Sequence, residues 1–103
     1  MPTIAIHIEQ AQLRGHPSEL HRGVGQEDFR ENNRRAALRG LGRAPSRKSW
    51  DEYPFASAIE GGGATSIEIV PLDEQYVQGG TINGFYLTEE LVFGDCFSVK
   101  IVP

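Results

Sequence analysis

The 103-residue sequence predicts an α+β fold, in which helices lie beside a small antiparallel sheet. Three observations lead to this class. Short segments that alternate polar and apolar residues occur near both ends of the chain and in its second half. Between them, residues 26–40 carry apolar and small side chains at helical spacing. Three consecutive glycines, residues 61–63, precede the most regular of the alternating segments and allow the chain to reverse, as in a hairpin.

A first strand and a loop are predicted before the helix. Residues 3–9 place isoleucines at positions 4, 6 and 8 on one side, which is typical of a half-buried strand. Glycines and a proline interrupt residues 10–25 and predict a loop. His7 in the strand is interpreted as a core or surface residue, and the spacing of His16 and His21 in the loop is not that of a zinc site.

The second element is a basic helix over residues 26–40, ended by Gly40. Residues 22–48 contain eight of the ten basic residues of the chain and only three acids, which gives this segment a formal charge of +5. The whole chain carries −4, because nine acids and a single lysine follow residue 48. This charge distribution has two interpretations. The basic segment can hold a polyanion while the acids of the second half bind a metal, or the arginines form a solvated helix face and the acids are ordinary surface residues.

The second half of the chain predicts a hairpin, a short helix and a closing strand. Residues 53–59 are expected to pair with residues 66–70. Residues 78–87 carry apolar side chains at helical spacing, and residues 97–102 alternate again. Cys96 is the single cysteine and is expected to pack as a small hydrophobic residue. No apolar run approaches the roughly 18 residues of a membrane span, and no signal-peptide pattern is present.

The adjacent acids Asp51 and Glu52 lie just before Pro54 and suggest a catalytic or metal-binding site. Carboxylates can activate a water molecule or bind a hard cation such as Mg²⁺ or Mn²⁺. Because neighbouring side chains of a strand point to opposite faces, one of the pair is expected to face a site directly and the other to be supporting or exposed. The hairpin could bring Glu74 and Gln75 near Asp51. From the residues alone, an exposed turn is the alternative.

Several blocks of sequence occur in the order of a known family. They are Asp-Glu-Tyr-Pro-Phe-Ala-Ser at 51–57, Glu-Gly-Gly-Gly-Ala-Thr-Ser-Ile at 60–67, Val-Pro at 70–71 and Gln-Gly-Gly at 78–80. With these blocks the chain resembles the NucA/NucB deoxyribonuclease family. Residues 32–40 resemble the basic helix of the versions that form C-terminal domains of bacterial polymorphic toxins.

The resemblance implies a single nuclease domain over residues 1–103 with a ββα-metal nuclease-like core. Its parts would be an N-terminal strand and loop (1–25), a basic helix and connector (26–48), and the core with a closing strand (49–103). The implied activity is nonspecific, metal-dependent hydrolysis of DNA with Mg²⁺ or Mn²⁺. The implied site residues are Asp51 and Glu52 for catalysis, with Asp51 as the base, Glu74 and Gln75 for the metal, and Arg34, Arg35, Arg39 and Lys48 for DNA. Gln75 departs from the asparagine that the family usually has there.

The resemblance also implies partners and a setting. DNA would be bound without sequence preference, and a cognate immunity protein is a possible second partner. The domain would be secreted or delivered into a target cell as part of a larger effector and act in the cytoplasm of that cell; no membrane partner is expected. A non-catalytic DNA-binding or protein-interaction domain with a degenerate site, and an RNase of the same fold, are the alternative functions.

Overall fold

A computed structural model describes residues 1–24 and 27–102. Within these residues the α+β class is confirmed, although the strands form two two-stranded antiparallel sheets, in which β1 pairs with β4 and β2 with β3. Positions 25 and 26, where the predicted loop passes into the predicted helix, and position 103 lie outside the described residues. In chain order the elements are α1 (Pro2–Leu13), β1 (Glu19–His21), α2 (Glu27–Ala37), β2 (Lys48–Tyr53), β3 (Ser66–Pro71), α3 (Leu72–Thr88) and β4 (Cys96–Ser98).

The predicted N-terminal strand is wrong, because α1 occupies this part of the chain. The buried side chains of α1 recur every three or four residues, which is the period of one helix face: Ile4, His7, Ile8 and Ala11. Ile6, which the alternating pattern grouped with Ile4 and Ile8, is 58% exposed. The predicted loop therefore begins only after Leu13, and it contains the short strand β1.

The basic helix is confirmed from Glu27 onward and ends at Ala37, earlier than predicted. Its Asn33 side chain donates through Nδ2 to the carbonyl oxygens of Ala56, at 2.9 Å, and Ala58, at 3.1 Å. These two bonds attach α2 to the loop that connects β2 to β3. The helix therefore has a fixed position beside the end of β2.

The β2–β3 hairpin has a different register from the one predicted. Tyr53 pairs with Ser66 nearest the loop, and Lys48 pairs with Pro71 at the far end, so the predicted pairing of residues 53–59 is wrong. Pro54 has no N–H to donate to a ladder, and β2 ends just before it. In the connecting loop, a Cβ at Gly61 would lie 2.4 Å from the carbonyl oxygen of Phe55, so only glycine fits there.

The helix α3 follows β3 directly, so β2, β3 and α3 form a consecutive ββα unit compatible with the predicted nuclease-like core. It begins at Leu72, six residues earlier than predicted, and continues through three glycines. A glycine inside a helix costs about 1 kcal/mol relative to alanine. Packing offsets this cost, because Gln78 and Tyr86 are buried and Ile82 lies against the core.

The closing strand is shorter than predicted and spans Cys96–Ser98. Phe97 in its centre is buried, whereas Cys96 is exposed, so the prediction that this cysteine packs as a small hydrophobic residue is wrong. The side chains of a strand alternate between its two faces, and Cys96 lies on the face opposite Phe97. None of the helices in the described residues is long and apolar enough to cross a membrane.

One hydrophobic cluster joins α1, the strands and α3; its buried members are Ile4, Ile8, Ala11, Leu20, Tyr53, Phe55, Ala58, Val70, Tyr86 and Phe97. Tyr53 is fully buried at the end of β2. Its hydroxyl donates to the carbonyl oxygen of Pro17, at 2.8 Å, and accepts from Nε2 of Gln12, at 3.0 Å. This anchored tyrosine fixes the position of the two acids that precede it in β2.

Candidate active site

A cavity of about 400 Å³ lies between α2, the end of β2 and α3. Its lining combines two carboxylates from β2 with basic residues from α2 and amide side chains from α3. These residues are Arg30, Glu31, Arg34, Asp51, Glu52, Phe55, Ala56, Ser57, Gln75, Gln78, Gly79, Ile82, Asn83 and Tyr86. The structure therefore brings together Asp51, Glu52, Gln75 and Arg34, four of the residues predicted to form the site.

Both adjacent acids of β2 are buried in the wall of this cavity. Asp51 is 1% exposed and Glu52 is 6% exposed, so of the two alternatives predicted for the second acid, supporting or exposed, the exposed one is wrong. They point in different directions: Asp51 contacts His7 of α1, and Glu52 contacts Arg34 of α2. Each buried carboxylate therefore has a basic partner from a different helix.

The Asp51 carboxylate is the end of a chain of three hydrogen bonds. Nη2 of Arg14 donates to Oγ of Ser66, at 2.7 Å. The Ser66 oxygen lies 2.9 Å from Nε2 of His7, and Nδ1 of His7 lies 2.6 Å from Oδ2 of Asp51. An ionised carboxylate can only accept, so the Nδ1–H of His7 donates to Asp51, while the direction of the bond between Nε2 and Ser66 depends on whether Nε2 carries a hydrogen.

This Ser–His–Asp chain is not a nucleophilic triad. Ser66 is 8% exposed, its oxygen accepts from Arg14, and it is not among the residues that line the cavity. A nucleophile must reach the substrate and be activated by its histidine. The chain instead holds one oxygen of Asp51. In the described part of the structure the hydrogen bonds to this carboxylate come from His7 through Oδ2, which leaves Oδ1 available.

Glu52 forms an ion pair with Arg34, whose Nη1 donates to Oε2 of Glu52 at 2.8 Å. The same guanidinium donates through Nη2 to the carbonyl oxygen of Trp50, at 3.4 Å. Arg34 is thus held across the backbone of β2 at the cavity wall. It was predicted to contact DNA, and that role stays a prediction.

Burial determines the acidity of both carboxyl groups. Desolvation raises the pKa of Asp51 above its ordinary value of 3.8, and the hydrogen bond and charge of His7 oppose this effect only in part. Desolvation also raises the pKa of Glu52 above 4.5; Arg34 opposes it, and the negative charge of Asp51 adds to it. Two carboxylates with raised pKa values in one cavity bind a proton or a cation more readily than exposed carboxylates do.

Residues 11–100 match a family model described as Deoxyribonuclease NucA/NucB. The chain belongs to this family. A NucA/NucB nuclease is a deoxyribonuclease, so the predicted hydrolase class and DNA as the substrate are confirmed at this level. A comparison with curated proteins gives no significant match.

The NucA/NucB chain has side chains that fit a divalent metal of the kind such nucleases typically use. Gln75 donates through Nε2 to the carbonyl oxygen of Trp50, at 2.8 Å, while its Oε1 atom is buried without a hydrogen-bond partner. Carboxylate and amide oxygens are ligands that Mg²⁺ and Mn²⁺ prefer. Glu52 and Gln75 line the cavity beside Asp51 and would offer oxygen atoms of this kind to an ion.

Glu74, the other predicted metal ligand, contacts α1. Its Oε1 accepts from the backbone N–H groups of Thr3, at 3.0 Å, and Ile4, at 3.1 Å. These are N–H groups of the first helical turn, which have no partner within the helix. Glu74 does not line the cavity, although its charge contributes to the raised pKa of Asp51. Its role as a metal ligand stays a prediction.

The predicted DNA-binding residues other than Arg34 lie on the surface. Arg35 in α2, Arg39 just after it and Lys48 at the start of β2 are all exposed. The structure does not bring them into the cavity. Exposed cations near a cavity of this kind can contact phosphates on either side of a bound phosphodiester.

Sequence reasoning did not assign the roles of His7 and Gln78. Gln78 is 8% exposed, lines the cavity, and has a buried Nε2 atom without a hydrogen-bond partner. His7 lies before residue 11, where the family match begins. The spacing of His7 with Ile4, Ile8 and Ala11 was the available signal for a buried helix face.

Proposed function

We propose that this NucA/NucB domain is a metal-dependent endonuclease that cuts DNA without sequence preference in the cavity between α2, β2 and α3. The observation that supports this most is that Asp51, Glu52 and Gln75, whose Oε1 atom has no hydrogen-bond partner, all line one cavity. When bound there, a divalent metal would polarise the phosphate and stabilise the leaving oxygen. It would also offset the repulsion between two carboxylates and an anionic substrate.

Asp51 is the general base in this proposal. Its Oδ2 atom is held by His7, so the carboxylate has a fixed orientation and Oδ1 can accept a proton from the attacking water. The raised pKa of Asp51 makes it a stronger base than an exposed aspartate. Glu52 holds Arg34 at the cavity wall, where the guanidinium can stabilise charge that develops on the phosphate.

Gln78 completes the polar lining on the α3 side. Its Nε2 atom can only donate, and it is buried without an acceptor. A non-bridging phosphate oxygen is an acceptor that would fit, and such a contact is independent of the base sequence. Gly79 lies next to it in the lining, and a residue without a side chain permits close approach of a nucleic-acid backbone.

The proposal extends to a toxin setting. The resemblance of residues 32–40 to the basic helix of toxin versions supports a role as the toxin module of a larger effector delivered into a target cell. DNA in the cytoplasm of that cell would be the substrate. A cognate immunity protein would have to block the cavity or the exposed cations Arg35, Arg39 and Lys48, which are the surfaces that substrate needs.

A plasmid-degradation assay tests the proposed activity. Wild-type protein is expected to degrade plasmid with Mg²⁺ or Mn²⁺ and not with EDTA, and Asp51→Ala is expected to be inactive while remaining folded by circular dichroism. Glu68→Ala is the matched control, because Glu68 pairs with Asp51 across the hairpin but is exposed. A mobility shift without cleavage would support a binding module instead, and preferential degradation of total RNA would support an RNase.

A further inference from the structure

A second group of metal-binding side chains lies on the small sheet formed by β1 and β4. Glu19, His21 and Cys96 each offer one donor atom, and these three atoms lie within 4.8 Å of one another. None of the three residues lines the candidate catalytic cavity. They provide one oxygen, one nitrogen and one sulfur, in contrast to the oxygen ligands near Asp51.

The register of β1 and β4 places these donors on one face. His21 pairs with Cys96 and Glu19 pairs with Ser98, while Leu20 and Phe97 between them are buried. The backbone bond from the N–H of Arg22 to the carbonyl oxygen of Asp95 identifies a hydrogen-bonded pair next to His21–Cys96. His21–Cys96 is therefore a non-hydrogen-bonded pair, the position at which cross-strand side chains lie closest.

Glu60 orients the imidazole of His21. Its Oε2 atom lies 2.6 Å from Nδ1 of His21, and its Oε1 atom accepts from the backbone N–H of the same residue at 2.8 Å. Because a carboxylate accepts, Nδ1 carries the hydrogen, and the lone pair is on Nε2. A histidine that donates one ring N–H to a carboxylate while its other nitrogen binds a metal is a common arrangement in zinc sites.

We propose that Glu19, His21 and Cys96 bind a zinc ion, with water as the fourth ligand and Glu60 supporting His21. Zinc accepts thiolate, imidazole and carboxylate ligands together, whereas Mg²⁺ and Mn²⁺ favour oxygen. A tetrahedral zinc ion needs ligand atoms about 3.3–3.8 Å apart, which small rotations of the exposed Glu19 and Cys96 side chains toward the half-buried His21 can reach from their present spacing.

The charges of the site favour a dication. A Glu19 carboxylate and a Cys96 thiolate together carry −2, which balances Zn²⁺. The neighbouring cation Arg22 is directed away from the three donors: Nη1 of Arg22 donates to the carbonyl oxygen of Leu91, and its guanidinium lies 4.7 Å from the centre of the Tyr86 ring.

The proposed ion would link two distant parts of the chain. The strands β1 and β4 have three residues each and are paired only with one another among the strands of the described residues. A pair this short contributes little stability by itself. A ligand that binds the native state but not the unfolded chain raises the melting temperature, and zinc would act in this way across the β1–β4 sheet.

Cobalt and zinc titrations of the chelator-treated full chain test the proposal. Co²⁺ is expected to give a thiolate-to-cobalt charge-transfer band in the near ultraviolet, which distinguishes this site from the candidate catalytic site, and Zn²⁺ is expected to displace the Co²⁺ that gives the band. Zn²⁺ should raise the melting temperature, and both effects should disappear in Cys96→Ser and in His21→Gln. Glu60→Gln should bind Zn²⁺ about 10- to 100-fold more weakly, because it loses the carboxylate that orients His21.

Two controls separate this site from other metal binding. Ser98→Ala changes a residue next to the donors on β4, and Asp51→Asn changes the candidate catalytic site; both should keep the charge-transfer band and the zinc affinity of the wild type. The proposal is overturned if Co²⁺ binds without the thiolate band, if Cys96→Ser and His21→Gln retain wild-type zinc affinity, or if Zn²⁺ leaves the melting temperature unchanged.

Discussion

The Nδ1 atom of His7 lies 2.6 Å from Oδ2 of Asp51, and each of the two side chains is 1% exposed. This contact joins β2 to α1. Residues 2–10 of that helix precede residue 11, where the match to the family model begins. A buried carboxylate without a partner is strongly unfavourable. The N-terminal helix therefore supports the candidate site directly, since it supplies the group that holds Asp51.

His7→Ala is expected to remove this support. The buried Asp51 carboxylate would lose its hydrogen-bond donor, which should lower the free energy of unfolding by about 3 kcal/mol. Because the hydrogen bond and charge of His7 lower the pKa of Asp51, their loss should raise that pKa further. The acidic limb of the pH–rate profile for plasmid cleavage should consequently move to higher pH, and kcat should fall about 10- to 100-fold, as when other orienting groups are removed.

His7→Gln provides the conservative comparison, since its amide can still donate to Asp51, and it should restore part of the activity and of the pH profile. His16→Ala is the matched histidine control, because His16 lies in the turn after α1 and is not among the residues that line the cavity. If His7→Ala folds and its pH profile coincides with that of the wild type, His7 does not position Asp51.

The pH dependence of stability reports the raised pKa of Asp51. A carboxyl group whose folded pKa lies above its unfolded value binds protons more readily in the folded state. Its contribution to stability is therefore full below about pH 3.8 and is lost as the pH rises through the folded pKa. In metal-free protein, the stability of the wild type relative to Asp51→Asn should increase as the pH is lowered from 7. Urea unfolding at several pH values measures this, and a relative stability that decreases on acidification would show that the pKa is lowered.

The sequence predicted the local features of the site and missed the hydrogen-bond partners of its two acids. The basic helix α2, the strand β3 and the acids at 51 and 52 are contiguous signals, and each was found at or near its place. The partners of these acids come from elsewhere: His7 is 44 residues from Asp51, and Arg34 is 18 residues from Glu52. Strand periodicity alone indicated that one acid faces the site and the other is supporting or exposed, because it does not include the helices that pack against β2.

The N-terminal helix shows how a short pattern misleads. Isoleucines at 4, 6 and 8 satisfy a period of two, but Ile4, His7, Ile8 and Ala11 satisfy the helical period equally well. The second pattern requires a histidine to be counted as a core residue, which is physically reasonable only once a buried acid is available to pair with it. That acid lies in β2, so the choice between strand and helix depends on a contact that local sequence does not contain.

Gln75→Leu is expected to weaken metal binding at the candidate catalytic site. Leucine keeps most of the side-chain volume but removes the buried Oε1 atom, so one neutral ligand is lost. The Mn²⁺ concentration for half-maximal plasmid cleavage should rise about tenfold, which corresponds to roughly 1.4 kcal/mol of binding free energy. Gln75→Asn, with an amide oxygen one methylene closer to the backbone, is the comparison that should retain activity. An unchanged Mn²⁺ requirement in Gln75→Leu would exclude Gln75 as a ligand.

Glu74→Ala is expected to destabilise α1. It removes the oxygen that accepts from the N–H groups of Thr3 and Ile4, and the loss of such a cap lowers stability by about 1 kcal/mol.

Burial raises the pKa of Glu74, but the hydrogen bonds from Ile4 and Thr3 outweigh it, so the pKa lies below 4.5. The stabilising effect should therefore be present above pH 4.5 and be lost as the pH falls through the folded pKa. Thermal unfolding of Glu74→Ala and of the control Glu9→Ala, an exposed acid on α1, measures this. Equal melting temperatures at neutral pH would contradict the capping role.

Arg35→Gln with Arg39→Gln tests whether the exposed cations hold DNA. Both side chains are exposed, whereas Arg34 beside them is engaged by Glu52, so the double variant should bind phosphates less well without disturbing the cavity. For every phosphate that the protein no longer neutralises, the slope of log affinity against log salt should become shallower by about 0.9, and affinity should fall equally for unrelated DNA sequences. Fluorescence anisotropy in EDTA, from low to moderate salt, measures binding without cleavage. Lys100→Gln is the charge-matched control, since Lys100 is exposed near β4 and should leave the slope unchanged. A double variant with the wild-type slope would place the DNA on a different surface.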